Sequence, residues 1–332
     1  MTGDSPRSTD VAVVIVNWNT KALLNECLLS FSRYPAPGVR TGLVVVDNGS
    51  SDGSAEFVRR EWPRVQLIAN PDNRGFTRAS NQGIQATAGE YVLLINTDAE
   101  LTDGCLDLLV SEMEKDPRLA AASPRLMSPS GRWQRTVAGQ APTLRSAINH
   151  YLFLERVIPG SFTGLYLTRD TARSRHVDWI SSACMLLRRS ALDQVGLLDE
   201  RFFMYMDDVD ICGRLRAAGW SVAYVPTAGA IHHEGGSSVN ADAAVKLGAL
   251  QNFQRYFERE HGSRQLALLR LVQVLGFGAR AIMFAARAML TRESRLKVRA
   301  SQNLAYMRFA GGSGSVPVRP VDTITKHRKE RS

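Results

Sequence analysis

Four short runs rich in β-branched residues recur through the first part of the chain: VAVVIV (11–16), LVVVD (43–47), VQLIA (65–69) and YVLLIN (91–96). Between and after them lie helix-compatible segments near 21–33, 53–60, 77–88 and 104–115. Runs this apolar are covered on both faces, and strands separated by helices pair in parallel, so the rhythm predicts an α/β fold with a mostly parallel, Rossmann-like sheet. Such sheets bind ligands beyond the carboxyl ends of their strands. Three strands end in polar residues there: Asn17-Trp18-Asn19, Asp47-Asn48-Gly49-Ser50 and Asn96-Thr97-Asp98.

Beyond residue 124 the pattern loosens. Residues 125–175 carry Pro129, Pro142, Pro159 and several glycines and read as a loop-rich insertion without an assignable role. Order returns with a strand over VDWISSACMLLRR (177–189), a helix near 190–195, an acidic helix start at Asp207 and a strand near 221–225. Residues 240–261 read as helix. From 264 to 290 the chain is apolar but interrupted by Arg270, Arg280 and Arg287, leaving no uncharged stretch of the roughly 20 residues a spanning helix needs. Arg270, Gln273, Arg280, Arg287 and Arg292 fall in one helical sector of about 140°, the pattern of a helix lying on a membrane, although Phe277 and Phe284 share that sector. A helix packed on the catalytic part is the alternative. Residues 312–332 are rich in Gly, Pro, Ser, Lys and Arg and have the composition of a disordered basic tail.

The formal charge of +9 resembles a nucleic-acid signature until it is located. Residues 264–332 hold 14 Lys or Arg against 3 acids, while residues 1–263 hold 27 against 29. The basicity belongs to the C-terminal extension, and a basic tail meets anionic lipid as readily as nucleic acid. Without a recognised nucleic-acid module beside it, a nucleic-acid partner is not expected. The four cysteines, Cys27, Cys105, Cys184 and Cys212, form no CxxC pair and suggest neither a zinc cluster nor a disulfide framework. The polar N-terminus carries no leader pattern, so the expectation is a cytoplasmic protein, peripheral on the inner face of the cell membrane. Oligomeric state leaves no mark in the sequence.

Polar residues at these strand ends and at one helix start are the candidates for binding a nucleotide and for chemistry on it. Asp47 opens DNGSSDGS, where a carboxylate can accept from base or ribose or simply form an Asx-turn. Asp98 ends an apolar strand and can hold a hard divalent cation through oxygen. In IHHEGGSS (231–238), His232 or His233 can complete a metal shell or meet a phosphate. In MDDVDICGRL (206–215), Asp207 and Asp208 occupy a helix first turn where negative charge is favoured, and an ionised carboxylate can serve as general base. Asp210 and Arg214, at i and i+4, read as an ion pair.

Together, VVIVNWN, VVDNGSSDGS, NRGFTRASNQG, LLINTDAEL, SSACMLLRRSALDQVGLLDERFFMYMDDVDICGRLRAAGW and HHEGGSS resemble the family 2 glycosyltransferases, in particular their bacterial rhamnosyltransferase-like branch. The motifs run in family order from residue 11 to about 240. The resemblance implies a glycosyltransferase A (GT-A) fold over residues 1–240, with a nucleotide-binding half to about 124 and an acceptor half from 125, followed by a helical extension over 241–311. It implies that Asn17, Asn19, Asp47, Asn73, Arg74, Asn81 and Asn96 surround the donor. Asp98 and His232 would hold Mg2+ or Mn2+ at the diphosphate, with His232 in an HxxGxS spacing with Gly235 and Ser237. The Asp207-Asp208 pair would be catalytic, with Asp208 as base in an inverting transfer. Two departures stand out: one carboxylate in place of the DxD pair, and Asp207 in place of Glu. The branch points to deoxythymidine diphosphate rhamnose as donor, with uridine diphosphate sugars open, and to a lipid-linked or cell-surface glycan acceptor. Two other classes compete. A dinucleotide-binding oxidoreductase would need GxGxxG after the first strand, where the chain reads NWNTKALL. An inactive membrane-bound scaffold would have lost part of the Asp47, Asp98, Asp208 and His232 set.

Overall fold

The computed structural model describes residues 11–154, 164–233 and 243–312. The chain divides into two compact units, residues 1–141 with 163–240, and residues 142–162 with 241–332. Residues 142–162, read from sequence as part of the acceptor half, therefore belong with the C-terminal helices.

In the first unit the β-branched runs form β1 (Val11–Asn17), β2 (Thr41–Asn48), β3 (Gln66–Asn70) and β4 (Tyr91–Asn96). β1 pairs in parallel with β2 on one side and β4 on the other, and β2 pairs in parallel with β3. Crossovers run through α1 (Lys21–Arg33), α2 (Ser54–Glu61) and α3 (Phe76–Gln85). Val11, Val13, Ile15, Val44, Val45, Val46, Leu93 and Ile95 are fully or almost fully buried. Each such side chain contributes about 1.5–3 kcal/mol of transfer free energy, which fixes the sheet at its centre.

Beyond β4 the sheet is mixed. β5 (Ala99–Leu101) and α4 (Cys105–Lys115) lead to β6 (Leu119–Met127), followed by β7 (Ala138–Gly139) and β8 (Arg175–His176). The segment read as one strand over 177–189 is two, β9 (Trp179–Ile180) and β10 (Cys184–Arg188), broken at Ser181-Ser182. β10 lies antiparallel between β4 and β6. After α6 (Arg189–Val195) and α7 (Asp207–Ala217) comes β11 (Ser221–His232), longer than its apolar core suggests. It runs parallel to β6 through an irregularity between Val225 and Gly229, then reaches β5 in antiparallel register, so that His232 stands opposite Ala99.

The second unit consists of α5 (Leu144–Tyr151), α8 (Ala243–Thr291, interrupted at Gly262) and α9 (Ser294–Ala310). By length and composition alone α8 is long and apolar enough over Lys246–Thr291 to cross a membrane, although Arg270, Arg280 and Arg287 interrupt it as the sequence shows. The polar sector is divided: Arg270, Arg287 and Arg292 are exposed, whereas Gln273 and Arg280 turn to partners within this unit. Gln273 is fully buried, accepting from the Gln254 amide at 2.8 Å and donating to the Tyr151 hydroxyl at 3.1 Å. Arg280 stacks on Phe153 with 4.1 Å from guanidinium carbon to ring centroid. The apolar stripe on the opposite side is exposed: Leu271 and Leu275 each 55%, Ile282 73% and Met289 81%. Residues 313–332, the expected basic tail, lie outside the described residues.

One glycine is demanded by the junction of α3 with the loop before α7. Gly75 has φ +86°, and a Cβ there would stand 2.7 Å from the Phe203 carbonyl oxygen, which also accepts the Phe76 N–H. Gly53 has a similar φ of +80° with open space around it. Gly53→Ala is therefore expected to cost only the left-handed backbone term, about 1 kcal/mol, and Gly75→Ala about 3 kcal/mol or more. Equal unfolding midpoints for the two variants in a denaturant titration would contradict this packing.

Candidate active site

The carboxyl ends of β1, β2 and β4 are joined by side chains. Asn17 is fully buried; its amide donates to Asp47 Oδ2 at 2.8 Å and to Ser50 Oγ at 3.1 Å, and its carbonyl accepts from Thr20 Oγ1 at 2.8 Å. Thr20 in turn meets Thr97 Oγ1 at 2.9 Å, tying β1 to the turn after β4. Asp47 Oδ1 accepts the Ser50 N–H, three residues on, at 3.0 Å, so the carboxylate also closes its own turn. Asn19, at φ +53°, accepts the Ser51 N–H at 2.7 Å and so holds the DNGSSDGS loop against β1.

A second knot lies around Asn48, which sequence reading did not single out. Its amide donates to Asn73 Oδ1 at 2.9 Å, and its carbonyl accepts the Arg74 N–H at 3.1 Å. Asn73 also accepts the Gly75 N–H, shaping the entry to α3, while the Arg74 side chain rests on Asp72 at 3.3 Å. Asn81 stands apart from these knots. Its amide exchanges hydrogen bonds with the Leu198 backbone in both directions at 2.9 and 3.0 Å and reaches Glu200, so it anchors the loop before α7. The polar groups of Asn81 are committed to that loop, a pairing between residues too distant in sequence to be read from a motif.

Asp98 is almost completely buried, and His232 brings Nε2 to 3.5 Å from its Oδ1. The backbone forces this approach: the His233 N–H donates to the Asp98 carbonyl at 2.8 Å while His232 pairs with Ala99. The two histidines then diverge, because His233 Nε2 meets Glu100 at 2.8 Å. Only His232 of the pair is directed to Asp98. Gly235 and Ser237 lie outside the described residues.

The third group arrives through β10. The Asn96 N–H donates to the Ala183 carbonyl at 3.0 Å, which sets Ser182 beside the end of β4. Ser182 lies near both aspartates, its hydroxyl favouring the ionised form of Asp207 and its N–H that of Asp208. The aspartates open α7 directly after Tyr205 and Met206, both in the left-handed region at φ +68° and +70°. Two non-glycine residues there cost roughly 1–2 kcal/mol each, a strain of the kind that gathers at functional sites. Asp210 and Arg214 form the expected ion pair at 2.9 Å, with Arg214 also donating to the carbonyls of Val195, Gly196 and Leu197.

Burial raises both catalytic candidates above the ordinary carboxylate range. For Asp207 burial is followed by the negative charge of Asp208, partly offset by hydrogen bonds from its own N–H and Ser182. For Asp208 burial is offset by the N–H groups of Val209 and Ser182. Asp207 is the more strongly raised and holds its proton to higher pH.

A divalent ion can be tested against this geometry. A carboxylate oxygen and an imidazole nitrogen 3.5 Å apart can both reach one ion at bond lengths of about 2.1 Å. Among the described residues no cluster of three or more His, Cys, Asp or Glu forms a closed metal cage. Two protein ligands suit an ion that also binds substrate phosphates, the usual arrangement for Mg2+.

Residues 12–196 match the model of glycosyl transferase family 2. The chain belongs to glycosyltransferase family 2. It is 34% identical over 254 residues to the N-acetylglucosaminyl-diphospho-decaprenol L-rhamnosyltransferase of Mycobacterium tuberculosis, covering 73% of this chain and 81% of that protein. Its fold is similar to a mannosyltransferase from Pyrobaculum calidifontis solved with GDP-mannose and Mn2+, with TM-score 0.54 and 16% identity over 92% of this chain and 87% of that one. GalNAc-T7 solved with UDP, GalNAc and Mn2+ aligns with TM-score 0.51 and 14% identity over 69% of this chain and 44% of that one. The enzyme therefore has the GT-A fold, with a C-terminal helical region.

The raised Asp207 makes a stability prediction with a definite sign. The native enzyme keeps a proton that the unfolded chain releases above about pH 4, so this group's contribution falls as pH rises until the native carboxyl ionises. Asp207→Asn should stabilise the protein on the order of 2 kcal/mol at pH 8 and clearly less at pH 5. An unfolding free-energy difference between variant and parent that does not change with pH would contradict a raised Asp207.

Proposed function

We propose that the enzyme is an inverting rhamnosyltransferase that moves a sugar from deoxythymidine diphosphate rhamnose to a hydroxyl of a polyprenyl-diphosphate-linked glycan. The observation that carries this is the approach of three separate chain segments to the end of β4: Asp98 itself, His232 at 3.5 Å, and the Ser182-Ala183 segment, which the Asn96 N–H holds and which lies near Asp207 and Asp208. The 34% identical mycobacterial relative, whose name gives a rhamnosyl transfer to a lipid-linked N-acetylglucosamine, supports the choice of sugar and acceptor.

In this reading the loops held by Asn17, Asn19 and Asp47 form the floor for base and ribose, and Asn73, Arg74 and Asn96 border the sugar diphosphate. Asp98 and His232 hold Mg2+ or Mn2+ together with the diphosphate. The ion supplies neutralisation of the charge that develops on the leaving group. Asp208, ionised at neutral pH, accepts the proton of the acceptor hydroxyl as its oxygen attacks the anomeric carbon opposite the diphosphate, and the configuration inverts. Asp207, protonated beside it, can donate a hydrogen bond without placing a second charge in the buried site.

The acceptor's lipid gives the second unit a purpose. The exposed apolar stripe of α8 enters the outer part of a bilayer, and the exposed Arg287, Arg292, Arg295 and Lys297 meet anionic headgroups. In this reading the enzyme works at the cytoplasmic face of the cell membrane.

Asp208→Asn should lower kcat by 10³-fold or more while changing donor affinity less than about threefold. Turnover close to the parent's would remove Asp208 as base. In a panel of nucleotide sugars assayed with a polyprenyl-diphosphate N-acetylglucosamine acceptor, the deoxythymidine diphosphate rhamnose reaction should be fastest and should stop with chelator. Faster transfer from a uridine diphosphate sugar would overturn the donor, and chelator-resistant transfer would overturn the metal. For the membrane, Leu271→Glu, Ile282→Glu and Leu290→Glu combined should lower co-sedimentation with phosphatidylglycerol-containing vesicles by at least about tenfold. Unchanged sedimentation would exclude the α8 stripe as the contact.

A further inference from the structure

The segment read from sequence as an irregular insertion contains a side chain that acts on the active-site histidine. Gln134 is buried, with its N–H bonded to the Leu126 carbonyl at the end of β6 and its carbonyl accepting from Val137. Its carboxamide makes two contacts with one residue. Nε2 donates to the His232 carbonyl oxygen at 2.7 Å, and Oε1 faces His232 Nδ1 at 2.9 Å.

These two contacts fix each other. A backbone carbonyl only accepts, so the Gln134 amide must turn its NH2 toward His232 O and its oxygen toward the ring. That oxygen also only accepts, so Nδ1 must carry the hydrogen. In the neutral ring Nε2 is then the bare nitrogen, and it is this atom that stands 3.5 Å from Asp98 Oδ1, longer than a hydrogen bond. A lone pair and a carboxylate facing each other at that distance form a site for a cation.

We infer that Gln134 is a positioning residue, which locks His232 in its Nδ1–H tautomer and so presents an unprotonated Nε2 to the cation that Asp98 shares. The role rests on the reading of Asp98 and His232 as the metal and diphosphate site, but the tautomer exists without metal and is measured separately. Outer-shell partners of this kind typically change metal affinity 10–100-fold. The residue has no motif of its own. It lies 98 positions from its partner and only the return of the chain along β6 brings the two together.

The test is nitrogen-15 NMR of the imidazole rings in metal-free full-length enzyme at about pH 9, where imidazole is neutral, with His232 assigned by loss of its signals in His232→Gln. The expected state is Nδ1–H. Gln134→Leu should release the ring to the Nε2–H form, and Gln134→Glu, which keeps an acceptor oxygen at Nδ1, should retain Nδ1–H. Mn2+ affinity measured with deoxythymidine diphosphate present should fall by about tenfold or more in Gln134→Leu. An Nε2–H ring in the parent enzyme overturns the proposal without recourse to any variant, as does a ring that stays Nδ1–H in a folded Gln134→Leu protein. If the tautomers follow expectation but His232→Ala leaves Mn2+ affinity unchanged, Gln134 still positions the ring, and it is the metal-ligand reading of His232 that fails.

Discussion

The insertion of β10 between β4 and β6, against the direction of both, is the constraint from which the active site follows. Through it the Asn96 N–H is bonded to the Ala183 carbonyl, which leaves Ser182 between the end of β4 and the Asp207-Asp208 pair. Without that strand the first four strands would still form a parallel half-sheet. The two aspartates would have no attachment to it. The extension of β11 past β6 does the same for the histidine: only because the strand continues to β5 does His232 stand over Asp98. A parallel half-sheet is thus extended by β10, antiparallel to both its neighbours, and by β11, parallel to β6 and antiparallel to β5, and these two strands carry the remaining candidate residues to the end of β4.

What could be read in the sequence divides along the same line. The parallel strands were legible because each is a self-contained run of Val, Ile and Leu whose burial decides its state locally. Polar residues at their ends were legible as candidates because parallel sheets place ligands there. The break at Ser181-Ser182 was hidden in a run that looks like one strand, and the continuity of β11 from Ser221 to His232 was hidden by Pro226 and the small residues Ala228, Gly229 and Ala230 at an irregular pairing. Tertiary pairing overrode local propensity at both places. At Asn81 the motif position suggests a donor contact, and the structure adds a role that no motif shows, the anchoring of the Leu198 backbone by its amide. Asn48 and Gln134 were missed because an amide bonded to distant residues leaves no periodicity or spacing to detect.

The C-terminal unit reverses the ordinary meaning of an amphipathic pattern. Arginines and a glutamine on one side of α8 looked like a solvated face. Gln273 and Arg280 instead form contacts with Gln254, Tyr151 and Phe153, and the leucines and isoleucine on the other side are exposed. Burying polar groups in a mutually bonded ladder and exposing apolar ones is costly in water, but it is favourable where the outer surroundings are hydrocarbon. Periodicity identified the two faces correctly and could not tell which of them meets the protein.

The account stands on one claim, that Asp98, His232 and Asp208 surround a single metal-bound diphosphate. Anomalous diffraction from crystals grown with Mn2+ and deoxythymidine diphosphate addresses it directly. The predicted result is a manganese peak within about 2.3 Å of both an Asp98 oxygen and His232 Nε2, on the diphosphate, with the Asp208 carboxylate open to the same cavity. A peak bound to the nucleotide but out of reach of Asp98 and His232, or an Asp208 carboxylate closed off from the diphosphate, would contradict it.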